Sequence, residues 1–399
     1  MTYPWTCWSI WRNTYAAISR RGAGNIFACS RGGCFVIANI SKEVSDLSYS
    51  IGWAALNLEM PERVPRTEFS LAEYHWPLIS RVTGKHVTQN SPADERAAAT
   101  RALREAWTFD FNWSTLLSGQ IFGGFHTSMG HADYAENGAD FDCNIYCPFS
   151  TPEEVLAFDP WEQYGEIDKC AVTRQFEEHY RANLENLPHE VAMTGIYTTL
   201  MSGMIDIFGW DMLLMAAGVD PQGFGKVADR YASWMQQYMD ALAEADVPCV
   251  MIHDDIVWTS GAFIHPDWYR KHIFPNYKKY FRPIIESGKK LMFTSDGDFT
   301  QFIDDIADAG VSGFVMEPCT DMEIIARKYG RTHSFIGNAD TRILLSGTRE
   351  AIEAEVKRCM DIGKSCPGFI MAVGNHIPAN TPVENCLIYE EAYRKLCRR

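Results

Sequence analysis

Between Lys289 and Pro318 the chain reads KKLMFTSDGDFTQFIDDIADAGVSGFVMEP. The apolar run Leu291-Met292-Phe293 stops abruptly at Thr-Ser-Asp-Gly-Asp. Phe299, Phe302, Ile303, Ile306 and Ala307 then recur at helical spacing until Gly310 ends the helix. A second apolar run, Gly313 to Met316, closes in Glu317-Pro318. Strand, polar loop, helix and strand in so short a span are the signature of a parallel α/β protein. Such proteins keep their chemistry where loops leave the C-terminal ends of strands, and here both strands end in a carboxylate.

The rest of the chain repeats this alternation without an internal sequence repeat. Arg63 to Phe69 reads as a first strand, with Pro65 demanding an edge or a strand start. Residues 94–107 read as a helix, and the alternating WTFDFNW of Trp107 to Trp113 as strand two. Glu190 to Tyr197 is strand three and Val247 to His253 strand four. The opening stretch holds strands five and six. Thr332 to Gly337 is strand seven and Gly368 to Val373 strand eight. Helices are expected at 166–185, 198–217, 224–244, 266–287 with a break at Pro275, 350–363 and 384–396. Eight strands alternating with helices predict a (β/α)8 barrel. A doubly wound sheet is the alternative, but a polar residue at almost every strand end favours eight loops converging on one pocket. The segment Leu116 to Trp161 is long, irregular and aromatic-rich. It is expected to be an inserted functional loop after strand two, carrying His126 and His131.

A chain of 399 residues that is 46% hydrophobic and 22% charged can bury a large core. A net charge of −15 argues against a nucleic-acid or anionic-membrane partner. No apolar run is read as approaching the roughly 20 residues of a membrane-spanning helix. The twelve cysteines form no CxxC pair, which suits reduced thiols in a cytoplasmic protein. Residues 1–53 hold Trp5, Trp8 and Trp11 and an Arg20-Arg21-Gly22 cluster, and no period persists in them. They are expected to form a poorly ordered extension of the kind an upstream start codon adds, with the barrel running from about residue 54 to 399.

Candidate site residues sit at strand ends. Asp254 and Asp255 follow His253, and of two adjacent carboxylates in a cleft one has its pKa raised for acid–base work; capping a helix, with a solvated neighbour, is the competing role. Asp296 is assigned to the pocket and Asp298 to the cap of the next helix. Glu317 ends a wholly apolar strand, a costly place for a carboxylate without a task. Asp254, Asp296 and Glu317 are therefore the catalytic candidates. His253, Asp296 and Glu317 together offer donors for a divalent ion, although no local ligand spacing marks them. Trp113, Tyr197 and Trp258 suit the wall of a pocket for a flat or methylated substrate. Asn338, Asp340, Asn375 and His376 are candidate substrate-orienting groups, with capping the competing role for Asp340.

The motifs GNAD at Gly337 to Asp340 and GNHIPANTPVEN at Gly374 to Asn385 resemble the strand-seven and strand-eight signatures of the uroporphyrinogen decarboxylase superfamily. Met193 to Leu214 resembles that family's segment after strand three, and Arg63 to Phe69 its opening strand. The resemblance covers roughly residues 54–399 and implies a barrel enzyme, either a porphyrin-pathway decarboxylase or a methyltransferase serving a corrinoid protein. The decarboxylase places a histidine directly after the strand-eight glycine, where this chain has Asn375. The zinc methyltransferases place His-x-Cys after strand five and a cysteine after strand eight, where this chain has Thr294, Asp296 and Asn375. A thiolate zinc site is therefore not expected. The resemblance favours methyl transfer from a small compound, such as an aryl methyl ether, to a corrinoid (cobalamin) carried by a partner protein, with no tightly bound cofactor. Decarboxylation, with Arg63 and Arg66 near the substrate, is the second expectation. A silent ligand-binding barrel is the third. A homodimer stays open.

Overall fold

The computed structural model describes residues 48–69, 75–128, 146–378 and 380–399. Strand β1 (Phe111–Asn112) pairs in parallel with β2 (Val191–Ala192). Strands β3 (Thr194–Ile196), β4 (Cys249–His253), β5 (Lys290–Ser295), β6 (Gly313–Met316), β7 (Ser334–Ala339) and β8 (Phe369–Val373) form a parallel sheet in chain order. Only Met193 separates β2 from β3. Residues 64–67 bridge the gap between β8 and β1. On one side Thr67 N–H donates to Met371 O at 3.0 Å and Met371 N–H to Pro65 O at 2.8 Å. On the other, Asp110 N–H donates to Arg66 O at 3.0 Å. Strands that follow one another in strict order have no switch point, so the doubly wound alternative fails and the fold is a (β/α)8 barrel.

The period of two along each strand sorts the side chains into two layers. Phe111, Trp113, Val191, Met193, Cys249, Met251, Met292, Val315, Ile336, Ile370 and Ala372 fill the barrel interior. Their alternates, such as Val250, Ile252, Leu291, Phe293, Phe314, Phe335 and Met371, pack outward against the helices. The helix Met201–Val219 is apolar on nearly every side. It is 19 residues long with a mean hydropathy of 1.3, enough by length and composition to cross a membrane, against the expectation from the sequence. Most of that stretch, 61%, is buried within the protein, as suits a core helix. The helix expected over 266–287 divides into Pro266–His272 and Phe274–Glu286. Pro275 lies in the first turn of the second helix, where its missing N–H has no helical partner to lose. The inserted loop carries the short helices Pro152–Ala157 and Pro160–Tyr164, and His131 lies outside the described residues.

The boundary expected near residue 54 falls inside a helix at 48–56; the rest of the expected extension lies outside the described residues. Ala55 and Leu56 of that helix join the barrel-interior cluster, and Ile51 is buried. Gly52 allows the close approach: a Cβ there would stand 2.7 Å from Val191 Cγ2 and 2.9 Å from Asp110 O. Gly52→Leu is therefore expected to destabilise the barrel by about 1–3 kcal/mol, the usual range for overpacking, read as a lower denaturant midpoint at unchanged m-value.

Candidate active site

The inward face of the barrel ends, at its C-terminal rim, in polar residues. Cys249 and Met251 point inward on β4, and two further steps of the same alternation bring His253 and Asp255 to the same side. On β5, Met292 leads to Thr294 and Asp296; on β6, Val315 leads to Glu317. A cavity at this rim is lined by Phe69, Trp113, Tyr197 and Met251 on its apolar walls. His253, Thr294, Asp296, Asn375 and His376 supply most of its polar lining, and the enclosed part measures about 50 Å³. No lysine or arginine lines it among the described residues.

His253 is held on two sides. Its ring stacks on Tyr197 at 4.0 Å and 3°, and its Nδ1 lies 2.9 Å from Tyr197 O. A carbonyl only accepts, so Nδ1 carries a proton. Nε2 faces Asp255 Oδ1 at 3.2 Å. That same Oδ1 accepts the Asp296 N–H at 2.9 Å, which ties the β4 loop to the β5 loop. Glu317 accepts from Gly297 N–H (Oε2, 2.8 Å) and from Asn375 Nδ2 (Oε1, 2.7 Å). The Asn375 amide also opposes the rise of the Asp296 pKa. Gly297, at φ +82°, supports this turn. A Cβ there would meet Val257 O at 2.7 Å.

Burial and crowding of like charge set the protonation. Asp296 is pushed well above the usual carboxylate range by desolvation first, then by the charges of Glu317 and Asp255. Glu317 is raised by desolvation and by Asp255, against the pull of the Gly297 N–H and Asn375. Both shifts favour the protonated carboxyls, with desolvation the largest cause in each. Burial alone would lower His253, but the Asp255 carboxylate, Asp296 and the Tyr197 carbonyl raise it to about 9. His376 has no such neighbour, and burial lowers it to about 4. Its Nδ1 has no hydrogen-bond partner among the described residues.

The structure redistributes several sequence expectations. Trp113, Tyr197, His253, Asp296, Asn375 and His376 line the cavity, and Glu317 is bonded to its rim. Asp254 does not serve there. It lies one step out of phase with His253, on the outward side. Its carboxylate accepts N–H groups from Leu200, Met201 and Ser202, at 3.2, 3.0 and 2.6 Å, and the hydroxyl of Tyr277, which fixes the start of the helix Met201–Val219. Arg66 also faces outward, because its register partner in β8 is the outward Met371. Its guanidinium is fully buried between Glu68 and Glu390, so it holds the shell together and cannot reach a substrate. Asn338 donates to Glu317 O and Thr320 O at 3.2 Å each and accepts from Arg358, which makes it a loop staple. Asp340 caps the helix Thr341–Ser346 and pairs with Arg342; burial would raise its pKa, but Arg342 holds it below the usual range. Trp258 packs on Trp210 and Phe263 away from the cavity lining. Of the adjacent pair Asp254 and Asp255, it is Asp255, the one not chosen as a catalytic candidate, that faces His253. The alternation Cys249, Met251, His253, Asp255 is the signal that points to it.

The sequence profile described as Uroporphyrinogen decarboxylase (URO-D) matches residues 150–396, more than half of the chain. The chain belongs to this family. Uroporphyrinogen decarboxylase from Syntrophotalea carbinolica is 25% identical over 176 residues, 44% of this chain and 50% of that protein. The one from Pseudoalteromonas atlantica is 24% identical over 227 residues, 54% of this chain and 61% of that protein. The chain thus spans about half the length of the curated relatives it matches. A solved methyltransferase from Methanosarcina mazei shares the fold, with a TM-score of 0.58 at 17% identity over 87% of this chain and 98% of that one.

Proposed function

We propose that this barrel moves a methyl group from a small methylated compound, such as an aryl methyl ether, to a corrinoid carried by a partner protein. The observation that carries the reading is the pair of buried carboxyls, Asp296 and Glu317, set together beside an apolar, aromatic wall where burial favours their protonated forms. Cleaving an ether needs a proton on the departing oxygen as the C–O bond breaks toward it. Glu317 and Asp296, both raised above the usual carboxylate range by burial, are the groups that deliver that proton. Trp113, Phe69 and Met251 offer the flat apolar surface that an arene needs. A corrinoid on the partner would supply the electron pair for the new bond to the methyl carbon, while the C–O pair leaves with the oxygen that is protonated; the chain's own task is to position the ether and deliver that proton. The thiolate zinc set of the related methyltransferases does not fit here, because Thr294, Asp296 and Asn375 offer hydroxyl, carboxylate and amide.

Decarboxylation of uroporphyrinogen is the second reading, favoured by the names of the sequence relatives. A substrate bearing many carboxylates calls for cationic partners. The cavity lining has none among lysine and arginine in the described residues, and Arg66 is committed to Glu68 and Glu390. A panel of aryl methyl ethers, assayed with a reduced corrinoid protein by the cobalt absorbance change, is expected to include a substrate, while uroporphyrinogen is left unchanged. Decarboxylation without methyl transfer would reverse the assignment.

A further inference from the structure

We propose that His253, Asp255 and Asp296 form a binding site for one divalent transition-metal cation with nitrogen and oxygen donors. One ligand atom from each of the three lies within 4.8 Å of the others, close enough for a single ion to touch all three. His253 ends β4, Asp255 lies in the loop after it, and Asp296 directly follows the neighbouring strand β5. Two hydrogen bonds outside the triad hold them in place. Nδ1–H of His253 donates to Tyr197 O, which leaves Nε2 as the donor atom. Asp255 is held through its backbone N–H by Ser202 Oγ at 2.7 Å. A ring nitrogen pinned to a backbone carbonyl while the other faces carboxylates is the outer-sphere arrangement that metal-binding histidines use.

A second observation points the same way. Thr294 stands beside His253 in the β4–β5 register and is 8% exposed; Trp113 is 2% exposed. Both line the same cavity, and neither Thr294 Oγ1 nor Trp113 Nε1 has a hydrogen-bond partner among the described residues. Leaving a buried polar group unpaired costs about 1–3 kcal/mol, so two such groups facing one small cavity call for an occupant. A water or substrate oxygen carried by a cation would accept from the indole N–H and bond the hydroxyl. The enclosed 50 Å³ has room for such an ion with its water. One imidazole with two carboxylates selects an ion such as Zn²⁺, Mn²⁺ or Co²⁺ over calcium, which takes an all-oxygen cage. This site is distinct from the thiolate site of the related zinc enzymes and shares only the Asp296 position with it. With the cation bound, Asp296 is a ligand and Glu317 is the carboxyl of the pair left uncoordinated. The inference does not depend on methyl transfer, since a decarboxylase or a silent barrel with these donors would bind the ion equally.

The test is metal binding itself. The full chain is stripped with a chelator and titrated with Co²⁺, while the visible absorption and the bound metal are followed, and Zn²⁺ and Mn²⁺ are then competed against it. One equivalent per chain is expected, with the intensified absorption of a nitrogen-containing, low-symmetry site. Losing an outer-sphere partner of a metal ligand usually costs about 10–100-fold in affinity, so removing a ligand in His253→Gln or Asp255→Asn should cost at least about that much. The wild-type titration requires no variant to fold. A spectrum that stays that of the aqua ion, or equal uptake by wild type and a His253→Gln/Asp255→Asn double variant with an intact thermal transition, overturns the proposal.

Discussion

Glu317→Gln and Asp296→Asn are each expected to lower the rate of methyl transfer by about 10²–10⁴-fold, the usual contribution of a positioned acid or base. Both amides keep the size of the side chain and one carbonyl oxygen. Glu317→Gln can still accept the Gly297 N–H, so the loop that aims it stays in place. What is lost is the proton that desolvation and neighbouring charge hold on the pair. Asp296→Asn removes the carboxyl that burial and the Glu317 charge hold well above the usual range, and it also weakens any ion held by His253 and Asp255. The two causes separate on measurement. Adding excess metal should recover part of the Asp296→Asn loss and none of the Glu317→Gln loss. Rates come from single-turnover cobalt absorbance, with the thermal transition as the check on folding. Wild-type rates in both variants would place the acid elsewhere in the cavity.

Why the sequence was legible for the fold and only partly for the site follows from the range of the interactions. Strand and helix periods are local, so the barrel could be read from runs such as Leu291–Phe293 and Phe299–Ala307. Inward alternation is also local, and it reaches Asp296 from Met292 and Glu317 from Val315. The same rule applied after His253 selects Asp255 over Asp254, but an adjacent pair of aspartates hides the difference until the phase is counted. Asp254, Asn338 and Arg66 were beyond this kind of reading. Asp254 meets the N–H groups of a helix that begins more than fifty residues earlier, and Asn338 meets carbonyls at Glu317 and Thr320. The partner of Arg66 is Glu390, and nothing in the local sequence announces it. The helix at 48–56 was hidden for another reason. Trp53 and Tyr49 obscure its apolar face, and Gly52 looks like a breaker until the contact with Val191 is seen.

Arg66 gives the largest expected effect on stability. Its guanidinium donates to Glu390 and, at 3.2 Å, to Glu68, with all three groups buried or nearly so. Glu68 in turn accepts from Tyr389 Oη at 2.8 Å and from the Val373 N–H at 3.1 Å, so it ties β8 to the C-terminal helix Val383–Leu396. The rings of Trp107 and Tyr393 flank the cation at 5.0 and 4.5 Å. Arg66→Met keeps most of that packing but leaves Glu68 in a dry shell without its cation, and Glu390 with Arg394 alone. Breaking a buried ion pair from one side typically costs about 3–5 kcal/mol, and that is the expected loss in a denaturant titration. Burial already raises the pKa of Glu68, and Arg66 opposes that rise. Without Arg66 the folded-state pKa climbs further above the ordinary 4.5. The folded variant then binds more protons than the unfolded chain at pH above about 4.5, so its stability falls as pH rises from there, and the deficit is smaller at pH 5 than at pH 8. Arg66→Met combined with Glu68→Gln and Glu390→Gln, which removes all three charges, should recover part of the loss and flatten that pH dependence. In folded Arg66→Met enzyme, KM for the methylated substrate should stay near the wild-type value, because the side chain lies on the far side of the barrel wall. A KM rise of tenfold or more with unchanged stability would return Arg66 to the substrate.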